Sequence, residues 1–98
     1  MKQAHVVIYG MVQGVGYRYF VAEKAEPVGL VGFVKNKKDG NVEALFQAPG
    51  KAEEEGEMII SQVIEECKEG PPLSNITNVD IKWESVEEDE KYDSFEIQ

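Results

Sequence analysis

The stretch AHVVIYGMVQGVGYRYFVAEKA, residues 4–25, decides how the chain folds because its hydrophobic period changes in the middle. From His5 to Val12, apolar residues occupy both sets of alternating positions, which predicts a central strand with two largely apolar faces. From Tyr17 onward, the apolar residues recur at helical spacing, and Pro27 is expected to end or distort that helix. A strand, a glycine-rich turn and a helix therefore follow one another directly.

Two strands and a second helix are predicted next. Segments 30–36 and 40–47 read as strands, and the Asp39-Gly40 pair between them is typical of a hairpin turn. A helix is expected over about 51–68, with acidic residues in its first turns, where they complement the helix dipole. Its apolar stripe consists of Ile59, Ile60, Val63, Ile64 and Cys67.

The last part of the chain predicts one longer strand over 78–84 and one short strand over 94–98. The side chains expected to face the core are Val79, Ile81, Trp83, Phe95 and Ile97. The full order predicts an α+β fold of the ferredoxin-like βαββαβ type. We expect an antiparallel sheet with two helices on one face, a short extra C-terminal strand, and a single domain spanning residues 1–98.

Composition narrows the class of protein. Ninety-eight residues make one domain with a modest core, and the single cysteine, Cys67, cannot form an intramolecular disulfide. The first residues lack the long apolar region of a signal peptide, and no apolar stretch is long enough to span a membrane. These features predict a soluble, cytoplasmic protein that does not associate with membranes.

The charge is strongly negative overall and unevenly distributed. A net charge of −9 argues against general nucleic-acid binding, which needs a basic surface. Residues 1–40 nevertheless carry a net charge of +3, whereas residues 41–98 carry −12. This uneven distribution could arise by chance. The alternative is that the basic segment forms a binding site for a small anion, while the acidic remainder of the chain repels large polyanions.

The turn between the first strand and the first helix has the features of an anion site. Gly14 and Gly16 allow the backbone to adopt positive φ and to approach a ligand closely. The segment before Tyr17 contains no Ser, Thr, Asp or Asn to cap the helix, so a bound anion could accept from the exposed amides. Arg18, the only arginine beside nine lysines, offers a planar fork for phosphate or carboxylate. The alternatives to an anion site are that the turn has only a structural role and that Arg18 is an exposed surface residue without a function.

Several kinds of phosphate chemistry are excluded by the residues around this turn. No Gly-Lys-Ser/Thr follows it, so it is not a nucleotide P-loop. The position six residues before Arg18 is Val12, where a cysteine phosphatase would carry its nucleophile. Cys67 and His5 are expected to be structural, and no cluster has metal-ligand spacing. A hydrolysis at this turn would therefore use water directly.

The motifs resemble those of the acylphosphatases over essentially the whole chain, in order. The glycine loop and its arginine precede, by about eighteen residues, a segment of the form G-aromatic-V-basic-N, and this combination is specific. The matching segments are VQGVGYR (12–18), GLVGFVKN (29–36), DGNVEA (39–44), GPP (70–72) and FEI (95–97). The resemblance implies the same ferredoxin-like fold and hydrolysis of carboxyl-phosphate anhydrides to a carboxylate and inorganic phosphate.

The resemblance also implies roles for individual residues. Arg18 corresponds to the catalytic arginine, and Asn36 to the catalytic asparagine that orients the attacking water. The reaction implied needs no metal and no cofactor, and its partners are a small acyl phosphate substrate and phosphate as product and inhibitor. A monomer is favoured. The phosphate-binding segment, acting mainly through backbone amides, is implied to be Gln13, Gly14, Val15, Gly16 and Tyr17.

Some features depart from the family, and other functions are open. Tyr17 stands where phenylalanine is commoner, Pro27 shortens the first helix, and segment 84–93 is unusually acidic. The main alternative function is a non-catalytic ferredoxin-like module that binds a small anion or regulates a partner. An RNA-recognition domain is disfavoured by the charge and by a missing second stacking aromatic. A module of a larger hydrogenase-maturation carbamoyltransferase is the third alternative.

Overall fold

The computed structural model describes residues 1–98, and its elements follow the predicted order. The strands are β1 (Lys2–Met11), β2 (Val31–Asn36), β3 (Val42–Gln47), β4 (Asn75–Ser85) and β5 (Phe95–Ile97), and the helices are α1 (Tyr17–Ala25) and α2 (Glu53–Glu69). Short 3₁₀ turns occupy Glu26–Val28 and Glu88–Glu90. The α-helical geometry of α1 ends two residues before Pro27, as the proline predicts.

The five strands form one sheet in the order β4-β1-β3-β2-β5, with β1 in its interior as expected. Strands β1 to β4 pair with one another only in antiparallel fashion, whereas β5 pairs in parallel with β2. The predicted antiparallel sheet is therefore correct for four strands and becomes mixed at the β5 edge. Because β1 and β2 both run antiparallel to β3, they point the same way, and their C-terminal ends share one end of the sheet.

Both helices pack on one face of the sheet. Alternate residues Ala4, Val6 and Ile8 of β1 are buried in a single core cluster with residues of α1 and α2. The predicted stripe of α2 is confirmed, with Ile59 partly buried and the rest of the stripe fully buried. The opposite face of the sheet carries polar side chains such as His5 and Glu43, and the segment near Tyr92 covers part of it, with the centroid of the Tyr92 ring 5.7 Å from that of the Phe33 ring. Neither helix is long and apolar enough to cross a membrane.

Of the five side chains of β4 and β5 predicted to face the core, only Phe95 is buried; Val79 and Trp83 are partly buried, and Ile81 and Ile97 are exposed. Ile81 and Ile97 are each 37% exposed. Both belong to one row of cross-strand neighbours, in which Val6, Ala44 and Val34 form the buried middle. Ile81 lies on the edge strand β4 and Ile97 on the edge strand β5, so they are the two ends of that row. The period of the sequence identified the correct face, but the helices cover only the middle of it.

Candidate active site

The turn after β1 brings the chain from the sheet into α1 through two left-handed glycines. Gly14 has φ 76° and Gly16 has φ 78°. A Cβ atom added at either position would meet no atom within 4 Å. Glycine is therefore needed here for its backbone conformation and not for lack of space. Gly16 is also the N-cap of α1, and no side chain caps the helix.

The backbone amides of this turn are without acceptors in the protein. Phe20 is the first residue of α1 whose amide is paired, donating to the Gly16 carbonyl at 3.1 Å. No amide from Gln13 to Tyr19 donates to a backbone carbonyl or to a side chain. The first turn of α1 contains no acidic residue that would compete for these donors. The result is a row of N–H groups at the positive end of a helix, which is an anion-binding arrangement.

Arg18 extends from the second position of α1 toward the β2–β5 edge of the sheet. Its Nη1 atom donates to the main-chain oxygen of Gln98 at 2.6 Å. The amide of Gln98 in turn donates to the Val34 carbonyl at 2.9 Å. Val34 lies in β2 two residues before Asn36, so Gln98 links the arginine to the strand that carries the asparagine.

Asn36 is the last residue of β2, and its side chain is exposed and forms no hydrogen bond within the protein. It pairs with Val42, which pairs on its other side with Ile8 of β1. Val42 and Ile8 are both buried under the helices. Asn36 therefore continues a buried row on the helix-covered face, and it emerges at the end of the sheet where β1 leads into the glycine turn.

A contact that the sequence did not reveal joins these two parts of the site. The Nε2 atom of Gln13 donates to the Lys37 carbonyl and to the Asn41 carbonyl, at 2.8 Å in each case. Both acceptors belong to the β2–β3 turn, immediately after Asn36. Residue spacing along the chain carries no sign of this contact, because it joins positions 24 and 28 residues apart.

Tyr17 contributes to this site only through its backbone, because its side chain is part of the core. The ring is 1% exposed, and the hydroxyl donates to the Cys67 carbonyl at 2.8 Å. Burial raises the pKa of the Tyr17 hydroxyl well above its usual value. The contact ties the start of α1 to the end of α2 and explains how the chain accommodates the extra hydroxyl group.

Neither the one cysteine nor the one histidine of the chain is placed to act as a nucleophile or base at the turn. Cys67 is buried in α2, and burial raises the pKa of its thiol to about 12, so it is not a thiolate near neutral pH. His5 faces the side of the sheet opposite the helices and contacts the Glu43 carboxylate. No group of three metal-ligating side chains is present. The main surface cavities lie along α2 and β4 and contain no residue of the turn.

Three of the six basic side chains of residues 1–40 are paired with acids of residues 41–98. Lys2 pairs with Glu57 at 3.1 Å, and Lys24 pairs with Glu66 at 3.6 Å. Arg18, by contrast, has no carboxylate side chain within ion-pair distance. Arg18 thus places beside the free amides a positive charge that no carboxylate side chain of the protein neutralises.

Comparisons with known proteins agree along the whole chain. A family model described as Acylphosphatase matches residues 4–97. An acylphosphatase of Acaryochloris marina is 45% identical over 92 residues, which cover 93% of this chain and 87% of that one. The crystal structure of acylphosphatase from Bacillus subtilis superimposes with a TM-score of 0.86 at 34% identity, covering 100% of this chain and 99% of that one.

A larger protein contains a similar unit. Full-length HypF, in a phosphate- and nucleotide-bound crystal form, matches with a TM-score of 0.73 at 34% identity. The match covers 100% of this chain but 12% of HypF. The present chain therefore resembles one module of that protein, whereas it matches the Bacillus subtilis structure over nearly its full length.

Proposed function

Because the chain belongs to the acylphosphatase family, an enzyme family that hydrolyses acyl phosphates, we propose a division of labour among its residues. The amides of the glycine turn and the Arg18 guanidinium bind the phosphoryl oxygens. Asn36 holds the water that attacks phosphorus. The observation that carries this proposal is the row of amides without acceptors beside Arg18, at the end of the sheet where Asn36 emerges.

In the proposed reaction, the water oxygen forms a bond to phosphorus while the bond from phosphorus to the acyl oxygen breaks. The bonding electrons leave with that oxygen, which becomes a carboxylate, and the protons of the water pass to the phosphate product and the solvent. A carboxylate is stable at neutral pH, so the leaving group needs no general acid. The protein supplies positioning and charge stabilisation, which are the main contributions available in phosphoryl transfer.

The two side chains have distinct tasks in this scheme. The Arg18 guanidinium and the amides are donors, and they stabilise the negative charge on the phosphoryl oxygens in the transition state. The Asn36 carboxamide oxygen accepts a hydrogen bond from the water, which directs a lone pair of that water toward phosphorus. The Asn36 side chain is exposed and uses neither its donor nor its acceptor within the protein, so both are available for this task.

The wild-type enzyme provides the direct test. Purified protein is expected to hydrolyse benzoyl phosphate in the presence of a metal chelator, with competitive inhibition by inorganic phosphate. Loss of turnover on chelation would contradict the metal-free scheme. Phosphate binding without any turnover would favour the alternative of a non-catalytic anion-binding module.

The cellular setting and assembly are part of the same proposal. We place the enzyme in the cytoplasm as a monomer whose partners are its small substrate and phosphate, without nucleic acid or membrane. The acidic surface supports a monomer that does not bind nucleic acid, because a net charge of −9 repels polyanions and other copies of the chain. A sedimentation measurement showing a stable dimer would contradict the monomeric state.

A further inference from the structure

The side chain of Gln13 makes an unusually complete contact with the β2–β3 turn. A carboxamide NH₂ has two hydrogens, and here each has a carbonyl acceptor at 2.8 Å, on Lys37 and on Asn41. The reverse orientation of the carboxamide would set its oxygen against two carbonyl oxygens, so the donor assignment is unambiguous. Gln13 therefore acts as a two-pronged donor between the glycine turn and the hairpin.

The two hydrogen bonds of this contact are the only ones that hold the glycine turn to a part of the protein other than α1. No backbone amide or carbonyl of residues 13–15 is paired with a protein group, and Gly16 bonds only to Phe20 within α1. The rest of the turn is held by Val15, which packs partly against the core. Without the Gln13 carboxamide, the amides that bind phosphate would have no polar tie to the sheet.

The acceptors of Gln13 lie where they can control Asn36. Lys37 follows Asn36 directly, and the Lys37 amide donates to the Asn41 carbonyl at 2.8 Å to close the turn. Gln13 thus donates to both residues that close the turn. Its carboxamide fixes how far the end of β2 lies from the glycine turn, and β2 ends in Asn36.

We propose that the Gln13 side chain is a positioning residue that sets Asn36, and the water it holds, relative to the phosphoryl group bound by the glycine turn. This inference rests on the proposed function and adds to it, because that scheme uses only the backbone of Gln13. Water attack along the line of the breaking bond is sensitive to small displacements, and a 1 Å error can cost on the order of 100-fold in rate. The carboxamide prevents such a displacement between two separate segments of the chain.

The substitution Gln13→Met tests the inference with a side chain of similar length that has no donor and no charge. We expect kcat for benzoyl phosphate to fall about 10-fold or more, while KM and the inhibition constant of inorganic phosphate change less than about threefold. Gln3→Met is the matched control. Gln3 also forms two carboxamide hydrogen bonds, to Glu84 and Gln47, but it lies at the opposite end of β1. This control is expected to lose stability and keep its kcat.

A double-mutant cycle separates positioning from a general structural effect. If Gln13 acts through Asn36, then Gln13→Met in an Asn36→Ala background should lower the residual kcat by less than about threefold, because the group it positions is gone. A loss of stability alone would lower the rate by the same factor in both backgrounds. Gln13→Asn, one methylene shorter, gives a second variant for the same cycle if the methionine variant does not fold.

Three outcomes decide the matter. A large loss of kcat in the wild-type background that disappears in the Asn36→Ala background supports the inference. A kcat within about twofold of wild type, or an equal loss in both backgrounds, overturns it. Absence of turnover in the wild-type enzyme would instead contradict the proposed function, so the two failures are distinguishable.

Discussion

The two ends of β1 treat their polar groups in opposite ways. At the end near Gln3, the Gln47 side chain is 1% exposed and fully paired. It donates to the Gln3 carboxamide oxygen at 2.7 Å and to the Glu90 carbonyl, and it accepts from the Tyr92 amide at 2.8 Å. At the other end, the amides of 13–19 and the Asn36 side chain have no protein partner. The polar groups at one end of β1 are therefore fully hydrogen-bonded within the protein (the saturated end), whereas those at the other end are not (the unsaturated end).

This difference separates stability from function. A buried polar group without a partner costs free energy, so the network around Gln47 has to be complete for the acidic segment near Tyr92 to pack on the sheet. The glycine turn lies at the surface, where water satisfies its donors at little cost and a bound anion can replace that water. The proposed site thus consists of donors that the fold leaves uncommitted. Changes at the two ends should consequently affect different measurements.

The largest effect is expected from removing the side chains at the unsaturated end. Arg18→Ala and Asn36→Ala should each lower kcat on the order of 10²–10³-fold, because each removes a well-aimed group from the transition state. Neither side chain is in the core, so the thermal midpoint should stay close to that of wild type. Full activity of either variant in a benzoyl phosphate assay would contradict its assigned role.

A smaller effect is expected when Arg18 is replaced by a residue that has the same charge but no planar guanidinium group. Arg18→Lys retains a cation and gives up the bidentate geometry, so we expect a loss of about 10-fold in kcat/KM, roughly the worth of one charge-assisted hydrogen bond. Steady-state kinetics with benzoyl phosphate measure this. If the lysine variant were fully active, simple charge would suffice and the single arginine would have no geometric explanation.

At the saturated end, the expected effect is on stability. Gln47→Leu leaves the Tyr92 amide and the carboxamide oxygen of Gln3 without their partner. We expect a loss of about 1–3 kcal/mol in the free energy of unfolding, measured by urea titration, with kcat unchanged. A marked fall in kcat at unchanged stability would show that the two ends of β1 are not independent.

The smallest effect concerns the face of the sheet opposite the helices, where Glu43 accepts a hydrogen bond from His5 and lies 3.6 Å from the Lys35 ammonium. The His5 hydrogen bond, more than the nearby positive charges, lowers the pKa of Glu43 below its usual 4.5. A carboxylate with a lowered folded pKa stabilises the protein above its unfolded pKa, and that stabilisation disappears as the pH falls through the folded value.

Glu43→Gln should therefore reduce the free energy of unfolding at pH 7 by no more than about 1 kcal/mol. The difference from wild type should shrink below about pH 4. Urea titrations at several pH values measure it. A difference that grows on acidification would mean that the carboxylate is destabilising in the folded protein.

Much of this organisation could be predicted from the sequence, because it is encoded in local patterns. The order of elements, the hairpin at Asp39-Gly40 and the early end of α1 follow from hydrophobic period, turn chemistry and a proline. The match to family motifs identified the acylphosphatase family and predicted catalytic roles for Arg18 and Asn36. The strand directions then place the ends of β1 and β2 at the same end of the sheet.

The remaining features depend on distances between segments that no local pattern records. The strand β5 has three residues, and so short a segment carries no pattern that predicts whether it pairs with β2 in parallel or antiparallel fashion. The partial exposure of Ile81 depends on the position of β4 at the sheet edge. Gln13 bridges two elements only because the fold brings them together. Lys2 and Lys24 are paired with Glu57 and Glu66, which lie far along the chain.

The most direct test of the account is to observe which amides bind phosphate. In a titration of ¹⁵N-labelled protein with inorganic phosphate, we predict saturable shifts concentrated in the amides of residues 13–19. The amides near Gln47 should not move, and the shifts of the glycine turn should be strongly reduced in Arg18→Ala. Saturable shifts centred on the surface lysines, with the amides of residues 13–19 unaffected, would contradict the claim that this turn is the phosphate site.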